Sequence, residues 1–582
     1  MPTKRSNLLP RVLLFSVLFL GVGGLLLEQM ELPAEGRQLL PDIIGYAILL
    51  TATLEVLVAY IRAPVQKNYL RRHPLSIGFF FLFLLLFLYA RLGGAAAREL
   101  GSLGYLSIII IRNTLLTLKV AARLGKLSTF VRTIMDRPAQ TVVLSFAVVI
   151  MVGTLLLMMP FATTDGEGLS FTESLFTATS AVCVTGLIVV DTATVFTLPG
   201  RLIILSLIQI GGLGIMILSY FTIFVIRRSI THEDTVILSY MLDEGNVDEI
   251  RAAVVRIVGF TLAIEGVGAV ILAAAFLAEG MLLGEAVIFG VFHAVSAFCN
   301  AGFALFTRSF ESFSGNLTVN LVVSLLIIAG GISFVVLTDL RRLVTARLDR
   351  SNRHLPGRMR PLGVGSRAVL SVTGIVLGTS FFLFYFLEHG NAMAHLTLAE
   401  QLLATFFQVV TLRTAGFNTL PFDQFATATY LGMMAFMFIG GASGSTAGGI
   451  KVNSVAVIWS YFRSVRTGGR DAVLFSRRVN RSQIASAFSV LVFGVGAIFL
   501  STFILSISEG FSLLEVLFES VSAFGTVGLS MGITGDLSTV GRYVIIVLMF
   551  IGRVGPLTLL SASTIEEDRS FVRYPSADIS VG

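Results

Sequence analysis

The chain has 582 residues, 55% of them hydrophobic and only 13% charged, with a mean hydropathy of +0.87. A soluble domain carries about 25% charged residues, so this composition excludes a water-soluble fold and predicts a polytopic membrane protein, long enough for a dozen helices of about 20 apolar residues each. Two cysteines exclude a disulfide framework, and the net charge of +7 reflects basic cytoplasmic loops rather than a nucleic-acid surface.

At the N-terminus, Lys4, Arg5 and Arg11 lead into the run VLLFSVLFLGVGGLLL, the layout of a signal peptide. A second apolar run follows within twenty residues and ELPAEG is a poor cleavage site, which favours an uncleaved first helix. Apolar stretches near 12–27, 42–61, 75–91 and 104–121 predict four helices, and basic residues at 4, 5, 11, 62–72 and 119–137 put both ends of this block inside. Its last basic residues, Arg112, Lys119, Arg123, Lys126 and Arg132, are spaced 7, 4, 3 and 6 apart. A voltage sensor needs a charge at every third residue of a spanning helix, so an interfacial cytoplasmic helix is expected instead.

Beyond residue 136 the chain repeats. Gly186 in AVCVTGL has Phe176 ten residues earlier, Ser180 and Ala181 six and five earlier, and Leu187 just after. Gly302 keeps that register in FHAVSAFCNAGF, and Gly528 keeps it in FESVSAFGTVGL. Gly416 in FFQVVTLRTAGF keeps Phe406 and Phe417 but has Val410 and Thr411 between them, the divergent copy. The spacings 302−186=116, 416−302=114 and 528−416=112 mark an internal repeat.

Around each glycine stretch the pattern predicts a first helix, at 141–160, 256–278, 367–387 and 483–507, a half-length apolar segment, and a second helix, at 201–226, 319–339, 428–462 and 541–563. Each second helix contains a glycine break: QIGGLG, IAGGIS, FIGGASGSTAGGIK and FIGRVGP. A half-length segment inside a bilayer must line protein or water, because unsatisfied backbone groups cost several kcal/mol each in lipid. Four such hairpins close most naturally around one axis, their carbonyls directed into a narrow passage. Glycine is needed there for φ > 0 and for the crowding of four backbones.

Orientation follows from charge. Arg227, Arg228, Arg251, Arg256, Arg341, Arg342, Arg463, Arg466 and Arg470 are among the basic residues that join one repeat to the next, while Asp165, Glu167, Asp191, Glu279, Glu285, Glu311, Glu388, Glu509 and Asp536 flank the glycine stretches. The joining segments are therefore expected inside, and the passage opens outward into an acidic vestibule that attracts cations. Four helices plus eight give twelve, with both termini cytoplasmic.

The motifs TSAVCVTGL, FHAVSAFCNAGF, LRTAGFNT, GGASGSTAGGIK, IGRVGPLT and VRYPSADISVG together resemble the Trk/Ktr/HKT superfamily of potassium ion transporters, closest to the KtrB type, over about residues 136–582. The resemblance implies an all-α polytopic fold of four pseudo-symmetric M1-P-M2 repeats around a central pore, here preceded by about four extra transmembrane helices. It divides the chain into an accessory block at 1–135, repeats at 136–240, 241–355, 356–475 and 476–566, and a cytoplasmic tail at 567–582. It further implies a homodimer in the plasma membrane, regulated by a cytosolic RCK-type nucleotide-binding ring, with membrane lipids but no nucleic acid as further partners. Potassium is the expected cargo, sodium a second candidate, and no organic cofactor or transition metal is expected.

Carried onto this sequence, the potassium filter would comprise Cys183, Val184, Thr185 and Gly186; Cys299, Asn300, Ala301 and Gly302; Arg413, Thr414, Ala415 and Gly416; and Gly525, Thr526, Val527 and Gly528. The gate would comprise Gly440, Gly441, Ser443, Gly444, Ser445, Thr446, Gly448, Gly449 and Lys451, with Arg553 facing it. Relatives with Ser at the first filter glycine tend toward sodium; all four positions here are Gly, which favours potassium. The gate loop also reads from composition, since so many glycines within ten residues cannot sustain a helix.

Some residues admit two readings. Arg413 is either a tuning charge at the filter or a strut paired with Glu173 or Glu519, as buried charges need partners. Cys183 and Cys299 are either small backbone-defining residues or a thiol pair, though two ligands make no metal site. Asp191, Glu265 and His293 are either proton-relay groups or satisfied structural ones. His232 and Glu233 begin HEDTV, which lacks the second His of a zinc protease helix. An intramembrane enzyme or a receptor-like scaffold would need a catalytic dyad or ligand cavity, and no such motif is present; a non-enzyme is expected.

Overall fold

The computed structural model describes residues 138–227, 247–348, 362–556 and 558–559. The expected N-terminal four-helix block, His232 and Glu233, and the terminal VRYPSADISVG lie outside these residues.

From Arg137 onward the described elements run α1 (Pro138–Leu157), α2 (Phe171–Cys183), α3 (Leu198–Arg227), α4 (Val247–Ala278), α5 (Leu283–Cys299), α6 (Leu317–Gly331), α7 (Phe334–Leu348) and α8 (Val364–Glu388), then α9 (Leu398–Thr411), α10 (Thr427–Phe438), α11 (Val452–Arg466), α12 (Arg481–Ser508), α13 (Leu513–Gly525) and α14 (Thr539–Val554). A two-residue hairpin, Val473–Leu474 paired antiparallel with Arg477–Arg478, interrupts the otherwise helical order. It lies in the loop between α11 and α12 and leaves the architecture helical.

Three helical stretches among the described residues, Arg256–Ala278, Val364–Glu388 and Arg481–Ser508, are long and apolar enough to cross a membrane. Their outward faces are apolar, with Val270 70%, Phe386 68% and Phe499 72% exposed, where a soluble protein would place charge. Such faces suit lipid. With no water to escape inside a bilayer, close packing and hydrogen bonds hold the helices together.

The short helices α2, α5, α9 and α13 form the buried centre. Three of them begin with a reciprocal cap written in sequence as Ser or Thr followed three residues later by Glu: Ser170 with Glu173, Thr397 with Glu400, and Ser512 with Glu515. Each helix then buries its last turns completely, as from Phe176 to Cys183 in α2 and from Val516, Phe518 onward in α13. Phe176, Phe292 and Phe518 occupy core positions as their shared register suggests, but in the divergent copy Phe407 rather than Phe406 takes the fully buried place.

The second helices all break, and the breaks differ. α3 is kinked at Gly214 (φ 77, ψ −174). The helix expected at 319–339 is instead two, α6 and α7, bent by 107°, because Gly330, Gly331 and Ser333 interrupt it and Ile332 turns extended. α10 stops at Phe438 and α11 resumes at Val452. α14 breaks at Gly555 with φ 89, and helical backbone resumes at Pro556, Thr558 and Leu559.

Candidate ion filter and gate

The chain leaving each of the four short helices turns in the same way. Val184 (φ 56), Asn300 (φ 60), Thr414 (φ 66) and Thr526 (φ 50) each adopt a left-handed conformation two residues before a filter glycine. The glycines follow with φ 91 at Gly186, 71 at Gly302, 81 at Gly416 and 90 at Gly528. A side chain would be strained at each of these values, which is why only glycine recurs there.

These glycines meet in a closed cycle. A methyl group placed on Gly186 would stand 2.6 Å from the carbonyl oxygen of Ala301; one on Gly302 would stand 2.8 Å from that of Ala415; one on Gly416, 2.5 Å from that of Val527; and one on Gly528 would overlap that of Thr185. Each loop thus lies against the main-chain carbonyl of the next, and the fourth returns to the first. The C-terminal ends of four helices adjoin the cycle, and their partial negative charge favours a cation there.

The serine six residues before the glycine is a capping device. Ser180 Oγ accepts from the Gly186 N–H at 3.1 Å and Ser522 Oγ from that of Gly528 at 3.1 Å. In the second loop Ser296 Oγ donates to the Phe303 carbonyl at 2.8 Å. The third loop has Val410 there, and its turn closes through Ala415 N donating to Thr411 O at 3.0 Å.

Beneath the cycle, Gly211, Gly330 and Gly552 of the second helices press on the carbonyls of Val182, Phe298 and Phe524, so closely that a methyl group on any of them would overlap its oxygen. The third copy departs. Gly440 faces Gly448 rather than Leu412, because residues 440–449 fold back as a loop. Equal offsets of Gly440 and Gly552 from their filter glycines, 440−416=24 and 552−528=24, therefore do not mean equal surroundings.

That loop is pinned from several sides. Ile439 and Ile450 form a parallel bridge across its neck. Ala442 N donates to Gly331 O at 3.1 Å, Thr446 N to Gly330 O at 3.2 Å, and Thr446 Oγ1 to Phe298 O at 3.3 Å. Lys451 Nζ donates to Ala447 O at 2.5 Å. Arg553, buried at 5% exposure, donates from Nη1 to the Thr446 carbonyl and from Nη2 to the Gly211 carbonyl. Ser443 is exposed and Ser445 turns its hydroxyl to Ala442 O at 2.7 Å, so Arg553 reaches the loop through a main-chain carbonyl rather than a side-chain hydroxyl. Gly448 lies beside the Thr526 hydroxyl, and a methyl group on Gly449 would stand 3.4 Å from the Gly525 Cα, so the loop touches the lower edge of the filter.

The family model of TrkH, a cation transport protein, matches residues 110–574. The chain belongs to this family of cation transport proteins. The TrkH-family match begins ahead of the expected boundary at 136. Among relatives, the Ktr system potassium uptake protein B of Bacillus subtilis (strain 168) is 37% identical over 448 residues, covering 76% of this chain and 97% of that protein. The potassium/sodium uptake protein NtpJ of Enterococcus hirae is 35% identical over 453 residues, with the same 76% and 97% coverage. The crystal structure of the potassium transporter TrkH from Vibrio parahaemolyticus superposes with a TM-score of 0.61 at 17% identity, covering 90% of this chain and 98% of that one. That likeness establishes a helical, polytopic membrane fold. The relatives named are transporters, not enzymes.

The remaining TrkH-family candidates fall into place around the ring. Arg413 is 5% exposed, and its Nη2 has no hydrogen-bond partner. It pairs with neither of the expected carboxylates: Glu173 lies 3.6 Å from Arg542, and Glu519 accepts from Ser530 and Thr534. Cys183 and Cys299 are separate, free and buried thiols. Glu265 accepts from Gln209 Nε2 at 3.2 Å and faces Cys299 Sγ at 3.7 Å. Asp191 accepts from the Thr307 hydroxyl at 2.9 Å, which ties the first loop's exit to the second's. Sequence reasoning missed Gly211, Gly330 and Gly331 as carbonyl acceptors around the candidate gate, since a main-chain oxygen carries no residue signature. It also passed over Asn418, whose Nδ2 donates to Glu311 at 2.8 Å across the outer mouth.

Proposed function

We propose that this chain is a channel-like potassium uptake subunit of the plasma membrane, its four M1-P-M2 repeats surrounding one filter. The observation that bears this reading is the cycle of four positive-φ glycines, each set against the carbonyl of the next loop. Inward carbonyls in such a ring replace the hydration shell of an alkali ion, and the names of the potassium-transporting relatives agree with that cargo. The inserted loop at 440–449 serves as a gate, and Lys451 and Arg553 hold it by its carbonyls. A homodimer, an RCK-type nucleotide-binding ring on the cytosolic face, and cytoplasmic termini complete the proposal on the strength of the motif resemblance.

Potassium-limited growth of a transport-deficient host tests this directly, with and without a co-expressed RCK subunit. Rescue that strengthens with the regulator supports the reading, and no rescue by a protein present at the cell surface sinks it. A second reading, a sodium-permeable transporter of the same architecture, is favoured by the relative named for both ions. Ion-replacement flux separates the two.

A further inference from the structure

The pore-helix position nine residues before the filter glycine holds four different side chains: Thr177, His293, Phe407 and Glu519, from 186−177=9, 302−293=9, 416−407=9 and 528−519=9. All four are buried. In two of the loops this side chain reaches across to the strand that leaves the filter. His293 Nδ1 lies 2.8 Å from the Phe289 carbonyl, and the Leu305 N–H donates to Nε2 at 3.1 Å. Those two contacts require a neutral ring with its proton on Nδ1. Phe276, Phe289, Phe292, Phe306 and Phe310 enclose that ring, with Phe306 stacked at 4.9 Å. In the fourth loop the Glu519 carboxyl group receives the Ser530 hydroxyl at 2.8 Å and the Thr534 hydroxyl at 2.5 Å. Leu305, Ser530 and Thr534 all follow their filter glycines within a few residues.

The other two loops have no such link. The Thr177 hydroxyl is without a partner, and Phe407 offers only a ring edge to Phe310 at 6.2 Å. Because contacts run from the first loop to the second, third, fourth and back, the two linked loops are non-adjacent and face each other across the passage.

We infer that His293 and Glu519 are positioning residues for ion selection: a pair of polar braces that hold the outer ends of two opposed filter strands against their pore helices. This rests on the filter reading above. Selection among alkali ions depends on how firmly the ring keeps its oxygens in place, and a buried acceptor that anchors the exit strand limits how far that strand can move. The other two strands have no such tie to their own pore helices and are held to the second loop's exit instead, Asp191 by Thr307 and Asn418 by Glu311.

Rubidium uptake by the full-length protein in proteoliposomes, competed by external potassium or sodium, provides the test. His293→Leu, which removes one buried hydrogen bond to its exit strand, should lower the potassium-over-sodium preference by roughly tenfold, and Glu519→Leu, which removes two, by at least as much. His293→Gln, whose amide oxygen can still accept from the Leu305 N–H, should restore most of it. Ser530→Ala and Thr534→Val remove the donors without altering the pore helix and should shift the preference in the same direction, so the inference stays testable if a core variant fails to fold. Thr177→Val, which loses no bond, should keep the parent's preference. If Gly186→Ser relaxes selection while all brace variants match the parent, the braces are overturned and the filter stands. A Thr177→Val effect as large as that of His293→Leu likewise overturns them. If Gly186→Ser and the brace variants all leave ion preference unchanged, the filter reading itself fails.

Discussion

Arg553, at the end of α14, donates to the main-chain carbonyl of Thr446 in the inserted loop, 107 residues away in sequence. Its second Nη donates to the Gly211 carbonyl, one turn before the kink of α3 at Gly214, so one guanidinium links three parts of the chain below the ring. A planar fork of donors holds two carbonyls in one fixed geometry; an ammonium, a compact charge with rotatable donors, does not reproduce it.

Arg553→Gln should therefore raise basal uptake, since the loop loses its clasp and the passage loses a cation. A buried hydrogen bond from a charged donor contributes about 1.5–3 kcal/mol, enough to shift a closed–open balance by roughly tenfold or more. Arg553→Lys should fall between. Uptake normalised to surface expression checks both; a Gln variant no more active than the parent removes Arg553 from the gate.

Gly186→Ser should narrow the potassium-over-sodium preference. An added Cβ would meet the Ala301 carbonyl at 2.6 Å, and φ 91 is strained for any side chain. Either the oxygen moves or the loop does, and both disturb the ring. Competition of rubidium uptake by the two ions measures this, and an unchanged ratio in a well-expressed variant counts against the filter.

Deleting Ser443 to Thr446 should raise flux and leave ion preference nearly intact. These residues lie between the neck bridge at Ile439 and Ile450 and include the Thr446 contacts to Phe298 and Gly330. Removal opens the space below the ring and spares Gly448 and Gly449, which touch the filter's lower edge. Zero flux from a folded, surface-expressed deletion would make the loop structural.

Glu400 offers an acid-sensitive cap outside the spanning segments. The Thr397 backbone N–H at 2.9 Å and its hydroxyl at 2.8 Å hold the Glu400 carboxyl below its ordinary value of 4.5. A carboxylate depressed by folding contributes stability above its unfolded value and loses it as pH falls through the folded one. Glu400→Gln should thus melt at a lower temperature than the parent at neutral pH, and the gap should close on acidification below 4.5. A gap that stays constant across that range would show that the cap does not depend on charge.

The membrane class, the four glycine stretches and the loop in the third copy were legible in the sequence, because apolar runs, a fixed period and clustered glycines are local signals. The reciprocal caps at Ser170, Thr397 and Ser512 emerged only with the helix starts, although their partners lie three residues away. Local signals also misled. Phe406 matched the register, yet Phe407 fills the core, since without the Ser-Ala pair the third helix ends earlier, at Thr411. The helix expected at 319–339 bends by 107° because two adjacent glycines and an extended Ile332 break it. Arg413 invited a carboxylate partner, but Glu519 is taken by the hydroxyls of Ser530 and Thr534.

By itself, then, the sequence determined which segments are apolar, where glycine permits a left-handed turn, and how many times the pattern recurs, all properties of residues a few positions apart. Only the tertiary structure decided that the four loops close in cyclic order, Gly186 against Ala301 through to Gly528 against Thr185, and that the loop at 440–449 and its neighbour Arg553 are tied through the carbonyls of Thr446, Gly330 and Gly211. The physical reason is that these contacts are made by main-chain oxygens. Every residue has one, so nothing in the side-chain alphabet marks which will be used until the helices pack.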